Sequence, residues 1–469
     1  MDESGSAFTA QEFQSAEGTA DWRVIGRDAL AWFAAPSHAA GAQLLRWVVG
    51  VAGGEGAQGL APAAAGVPGV DAAVPGTDAG APGAGVDLTA GPAPEVDVRA
   101  GGVRVRLPRP GSRFTAREVE LARAISGAAA DLGLVADPTG LQLVQVGVDA
   151  QDASALAPFW QQVLGYELVD DVVLRDPGRR LAAVWFQDQD APRPLRNRLH
   201  LDAVTTQPVA TATVDAIPGL GGEVRHAHDF YATVADADGN EADVLPLQEG
   251  ADRWPGPETE DWRLVFAAVA SYPTHRTEQA LDLVERVAAL ADEAGLPLGI
   301  DVRPGRVTLD TGKDRWEIED GYEALAARCQ AAARDLGLQA DVAASRFLQV
   351  GVDAVDVPAV RRFWAAALGY VEDPREGVTD LVHPHQLTMP LFLQSLDPDD
   401  HERRAQRNRI HLDVFVPDDQ AQARVDAALA AGGRVTYDTE APAWWTLADP
   451  EGNEVCIAVS PGREERWGE

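Results

Sequence analysis

Two histidines stand in nearly identical heptapeptides, RNRLHLD beginning at Arg196 and RNRIHLD beginning at Arg407. Each is followed some 40 residues later by a glutamate in an acidic, glycine-bearing phrase, DADGNE ending at Glu241 and DPEGNE ending at Glu454. Imidazole and carboxylate groups are donors that a divalent ion takes at about 2.0–2.2 Å, with an open position left for substrate. The same residues also serve structure alone. His200 can hydrogen-bond a backbone carbonyl or Asp202, and a glutamate after DGN can close a hairpin. HPHQ at 383–386 and RHAHDFYA at 225–232 each hold two histidines at i, i+2, a spacing that shares a face on a strand but fits a loop or rim better.

The elements that must position these groups are themselves duplicated. DWRV from Asp21 matches DWRL from Asp261, and LQLVQVGVDAQD from Leu141 matches RFLQVGVDAVD from Arg346. FWQQVLGYE from Phe159 matches FWAAALGYV from Phe363. The order is the same both times, so the chain is a two-part unit repeated, A–B–A′–B′. Residues 53–95, almost wholly Gly, Ala, Pro and Val, read as an insertion in A that forms a disordered loop.

Each B segment reads as β-α-β-β followed by β-α-β-β. The helix after Asp152 stops at Gly165, and FYATVADADGNEADVLP reads as a hairpin. Each A segment reads as a strand, a long helix, a hairpin and an amphipathic helix. Thr115 and Glu118 form a capping box for the last of these in A. Phe230 with Tyr231, and Trp444 with Trp445, precede the final hairpins. One of each pair should face inward, where an aromatic ring can stack on a planar ligand.

Composition narrows the function classes. The 469 residues suit about three or four domains. A net charge of −34 argues against nucleic-acid binding, which needs a basic surface, and against docking on anionic lipid. Arginine carries nearly all the positive charge, since Lys313 is the single lysine. Two distant cysteines, Cys329 and Cys456, form no disulfide framework. No signal peptide or membrane-spanning run is read, so a cytoplasmic protein with a small-molecule partner is expected, with a homo-oligomer as an open assembly.

The phrases FWxxxLGY, NR-[LI]-HLD and D-x-[DE]-GNE make each B segment resemble the vicinal oxygen chelate superfamily, more narrowly its glyoxalase-like, bleomycin-resistance-like members. That resemblance implies paired βαβββ modules curled into a cup, with metal ligands drawn from facing strands. Carried over, the ligand positions fall on Gln145, His200 and Glu241 in B and on Gln349, His411 and Glu454 in B′. Gln187 and Gln394 stand nearest the fourth-strand position. A zinc, nickel, manganese or iron ion is the implied cofactor, and lyase, isomerase or dioxygenase chemistry the implied activity. B′, with its fuller motifs, is the expected metal site.

The A segments resemble pterin-4a-carbinolamine dehydratases, through FTAQEF…DWRV, the VDVRAGGVRVRL hairpin and FTAREVELARAI. That family's paired histidines are replaced here by Pro92 and Ala93, and by Leu296 and Pro297, which cannot shuttle protons. The fold without the activity is implied. Pterin recycling as a 4a-hydroxytetrahydrobiopterin dehydratase, or a non-catalytic oligomeric scaffold, are the alternatives. His38 and His275 are read as exposed. The overall expectation is an α+β tandem duplication with domains at 1–135, 140–248, 255–340 and 345–460.

Overall fold

In the computed structural model, residues 7–53, 88–89 and 91–467 are described. Most of the expected loop at 53–95 lies outside the described residues, but its far end is ordered, because Glu95 opens a strand. The fold is mixed α and β, with three large sheets.

The A segments form the expected elements. In A these are strands Arg23–Ile25 and Asp28–Ala34, helix His38–Ala52, the hairpin Glu95–Arg99 with Gly102–Leu107, and helix Ala116–Asp131. In A′ the equivalents include strands Arg263–Val265 and Ala267–Pro273, helix Thr277–Ala294, the hairpin Gly299–Arg303 with Arg306–Asp310, and helix Tyr322–Asp335. The capping box at Thr115 is present, with the Thr115 N–H donating to Glu118 Oε2 at 2.9 Å. The tryptophans of the repeated DWR phrases are buried and donate to helix carbonyls, Trp22 Nε1 to Ala122 at 3.2 Å and Trp262 Nε1 to Ala326 at 3.0 Å.

The two A segments share one sheet. Glu95–Arg99 runs antiparallel beside Gly299–Arg303, with Asp97 opposite Asp301, to give nine strands over a common core. Two buried carboxylates face to face would repel. Burial alone would raise the Asp97 carboxyl, but Arg104, Arg303 and Arg99 hold it well below the usual carboxylate range. Asp301 in turn takes Arg99 at 2.7 Å and Arg180 at 2.6 Å. His38, expected to be exposed, is buried in the same joint. The Leu298 N–H donates to its Nε2 at 3.2 Å, so Nδ1 carries the proton and donates to Asp292 at 2.7 Å. His275 is exposed.

The B segments depart from the expectation that each closes its own cup. Strand Leu143–Ala150 of B runs antiparallel beside Ile410–Phe415 of B′, with His411 opposite Gly147 and Asp413 opposite Gln145. Reciprocally, Leu199–Thr205 of B lies beside Arg346–Ala354 of B′, with His200 opposite Gly351 and Asp202 opposite Gln349. Two eight-stranded sheets result. The first cup combines the front half of B with the back half of B′, and the second cup combines the other two halves.

The repeated motifs hold this exchange together. Arg198 and Arg409 are at most 1% exposed. Arg198 Nε donates to Asn453 at 2.8 Å, and Arg409 Nε donates to Asn240 at 2.9 Å. The backbone N–H of Arg198 donates to Asn408, and that of Arg409 to Asn197, both at 2.8 Å. Asn408 also donates to Asn453 at 2.8 Å and Asn197 to Asn240 at 2.9 Å. So the Asn-Arg of each heptapeptide binds the opposite Asn-Arg, and each arginine reaches the GN turn of the other segment. The aspartates that open those turns accept from the FW tryptophans, Asp236 from Trp160 at 2.9 Å and Asp449 from Trp364 at 3.1 Å.

Replacing Asn453 with Ala strands the Arg198 Nε–H and an Asn408 amide proton in a buried place. The expected loss is about 3 kcal/mol in urea denaturation, because an unmet buried donor costs its full desolvation and the more so when charged. Gln422→Ala, on an exposed helical pair, should stay within about 0.5 kcal/mol. A loss at Asn453 no larger than at Gln422 would contradict the clasp.

Candidate functional site

Side chains alternate along the central strand of the first cup. Val144, Val146 and Val148 enter the core, while Leu143, Gln145 and Gly147 face the concave side. The neighbouring strands add His411, Asp413 and Phe415, then Glu454 and Cys456, then Trp444 and Thr446, and on the other side Trp185 and Gln187. A cavity of about 1250 Å3 opens over this surface, roofed in part by the first A segment.

The histidine is seated by a glycine. A Cβ on Gly147 would lie 2.3 Å from His411 Cε1, so only a bare backbone lets the ring lie across the strand. Trp185, next in register beyond Gly147, meets the ring edge to face at 6.0 Å. The second cup repeats the seat: a Cβ on Gly351 would lie 2.2 Å from His200 Cε1, and Phe392 meets that ring at 5.7 Å.

The two bases differ in chemistry. In the first, one ligand-type atom from each of His411, Asp413 and Cys456 lies within 4.8 Å of the others. His411 Nε2 is 3.6 Å from Asp413 Oδ1, and Nδ1 is 3.9 Å from Asp149 Oδ1. Asp413 Oδ2 already accepts from Trp185 Nε1 at 2.7 Å. Burial, and Asp413 beside it, push the Cys456 thiol well above its ordinary value, so it is a neutral group at pH 7.

In the second base the cluster is His200, Asp202 and Asp243. Gln349 joins it by donating from Nε2 to Asp202 Oδ2 at 2.6 Å. Asp202 Oδ1 and Gln349 Oε1 are buried and have no hydrogen-bond partner among the described residues. Burial pushes the Asp202 carboxyl up to about 6, against His200 and the Gln349 hydrogen bond. The second A segment crowds this cup. Phe266, with φ of 65°, meets Phe347 at 6.1 Å, and Lys313 pairs with Asp380 while lying 5.9 Å from the centre of Phe392.

The residues singled out in the sequence are therefore regrouped. Gln145 belongs with His411, and Gln349 with His200, because the central strands exchange partners. Gln349, His411 and Glu454 do not share a sheet, which corrects the ligand set drawn from B′ alone. Glu241 pairs with Arg196, and Glu454 with Arg407 at 2.7 Å. Gln187 and Gln394 donate to Asp149 and Asp353. Trp444 lines the cavity while Trp445 packs on the core. Phe230 is exposed, and Tyr231 stacks on His228 at 4.5 Å. The sequence reading passed over Asp413, Asp243, Cys456 and Trp185. A period of two marks three of them: His-Leu-Asp and Glu-x-Asp or Glu-x-Cys put both ends on one face.

Gly147→Ala should displace His411 and destabilise the chain by about 1–3 kcal/mol, as overpacking does. Gly101→Ala, with nothing within 4 Å of the added Cβ, should be neutral or slightly stabilising. Chemical denaturation of both variants checks the pair, and equal effects would contradict the seat.

A model of the glyoxalase-like domain matches residues 145–245 and 349–458. No curated protein matches the chain. Among solved structures, glyoxalase I from Zea mays is 10% identical with a TM-score of 0.36, over 69% of this chain and 95% of that one. A putative dioxygenase from Bacillus subtilis is 10% identical with a TM-score of 0.34, over 68% and 84%. A glyoxalase-related enzyme from Fulvimarina pelagi is 20% identical with a TM-score of 0.19, over 24% and 85%. Among the described residues no helix is long and apolar enough to cross a membrane. Two segments of the chain match the glyoxalase-like domain, and the halves of those segments recombine into two cups.

Proposed function

We propose that the chain binds a small organic molecule in the first cup and that His411 handles a proton of that molecule. The observation that carries this reading is the cavity of about 1250 Å3 with His411 held at its base. An imidazole held between two carboxylates can take up or deliver a proton. Trp185, Trp444 and Phe415 give the cavity apolar walls suited to an organic body. Among lyase, isomerase and dioxygenase chemistries, those that turn on proton transfer fit this base best. The protonated Cys456 and the Trp185-bound Asp413 make it a poor cation site.

The second cup supports a separate reading as the metal site. Its His, Gln and two Asp donors suit a divalent ion, and the two unpartnered buried oxygens are the groups that an ion would satisfy. His200, Asp202, Asp243 and Gln349 would hold it. Bound there, the ion would supply Lewis-acid character, but with Phe266 and Lys313 beside the base its role is to fix the cup.

Two measurements test these readings. Thr446→Trp, which fills the first cavity, should abolish the thermal shifts that a panel of small aromatic and organic-acid ligands gives with the unaltered chain. Shifts that survive the substitution would place the ligand elsewhere. For the metal, calorimetric titration with zinc or manganese should show one equivalent at pH 7. Asp202 must lose its proton to bind an ion, so affinity should rise as pH is raised through about 6. Asp202→Asn and His200→Ala should weaken it, and His411→Ala should not. No binding at pH 7, or loss with His411→Ala alone, would contradict the assignment.

A further inference from the structure

We propose that the ligand of the first cup is a small organic anion, an apolar body ending in a carboxylate or phosphate group, gripped at the mouth by Arg27 and Arg175. This rests on the reading that the first cup is the ligand site.

Trp185, Trp444 and Phe415 wall part of the cavity, with the Arg463 guanidinium over Phe415 and Trp444, and its mouth is built where the first A segment meets the cup. Arg27 sits in the turn between strands Arg23–Ile25 and Asp28–Ala34. The preceding Gly26 has φ of +63°, and a Cβ there would lie 2.7 Å from Leu143 Cδ2. The turn is thus pressed against the central strand of the cup, which carries Arg27 to the rim. Arg175 ends the cup strand Val173–Arg175 on the same cavity.

These two arginines differ from their neighbours in forming no ion pair among the described residues. Arg104 is paired with Asp97, Arg106 and Arg179 with Glu95, and Arg180 with Asp301 and Asp310. Among the described residues, neither Arg27 nor Arg175 has a carboxylate within ion-pair distance. Partial burial, then Arg179, Arg27 and Arg106, lower the pKa of Arg175, with Asp28 opposing. Nine arginines and five carboxylates line the cavity, in a chain of net charge −34. Uncompensated positive charge in a concave mouth focuses the field on an anion, and guanidinium forks match carboxylate and phosphate oxygens.

The feature is not a by-product of the duplication. In A′ the corresponding turn is one residue shorter, and Phe266 stands where A has Gly26 and Arg27. At this turn the second cup receives an aromatic ring and the first a cation.

Calorimetry on the full chain at low salt tests this, with benzoate and phenyl phosphate against the neutral benzyl alcohol and phenol. At least one anion should bind about 10-fold more tightly than its neutral counterpart, as one charged hydrogen bond gives. Whether benzoate or phenyl phosphate gains more tells carboxylate from phosphate. In the double variant Arg27→Gln, Arg175→Gln the preference should fall below about threefold, with the neutral probes little changed. Neither side chain belongs to a packed core, so the variant should fold, and far-UV circular dichroism checks that it does. Equal binding of anionic and neutral probes, abolished by Thr446→Trp, would overturn the anion assignment and leave the cup as the site. An anion preference that persists in the double variant would overturn the role of the two arginines. Binding that ignores Thr446→Trp, or no binding of any probe, would overturn both.

Discussion

The reciprocal clasp of Arg198 and Arg409 is the constraint on which the two cups depend. A guanidinium taken fully out of water is costly unless its donors are met. Here each arginine donates to an asparagine and to backbone carbonyls of the opposite segment. The partners are available only if the chain crosses from one sheet to the other twice, before Leu199 and before Ile410. If each B segment closed on itself, the same arginines would have to find new acceptors. The clasp therefore helps specify the crossed pairing over the uncrossed one.

Once crossed, the strands give each cup one histidine opposite one glycine. Duplication kept this seat in both cups, but the A segments treat them differently. A lays Gly26 and Arg27 against the first cup and leaves a cavity. A′ lays Phe266 against the second, with Lys313 beside it. The bases have diverged in step. Where there is room for a ligand, the third donor is a buried neutral thiol, Cys456. Where there is little, it is Asp243, alongside two unpaired oxygens. The large cavity and the cluster with the unbonded oxygens thus lie in different cups.

The repeats, the helices with their glycine stops, and the Thr115 capping box were legible in the sequence because each is set by local pattern. Partner choice was not. B and B′ carry the same strand phrases, so either edge fits either strand, and the choice is made by contacts about 210 residues apart, such as Arg198 N to Asn408. His38 looked exposed because the residues that bury it, Asp292 and Leu298, lie in the other A segment. The histidines of the site were legible by type. Glu241 and Glu454 share a face with Asp243 and Cys456 but pair with Arg196 and Arg407. The motif phrases NR and GN, which look like site chemistry, serve mainly to fasten the crossing.

The crossed pairing itself is tested most directly by cysteine pairs. Leu143 is opposite Phe415 in the structure, whereas in a B segment closed on itself it would be opposite Val204, which here faces Phe347. Under mild oxidation, Leu143→Cys with Phe415→Cys should form an intramolecular disulfide, and Leu143→Cys with Val204→Cys should not, as read by peptide mapping of the monomer. A cross-link in the second pair and none in the first would contradict the account.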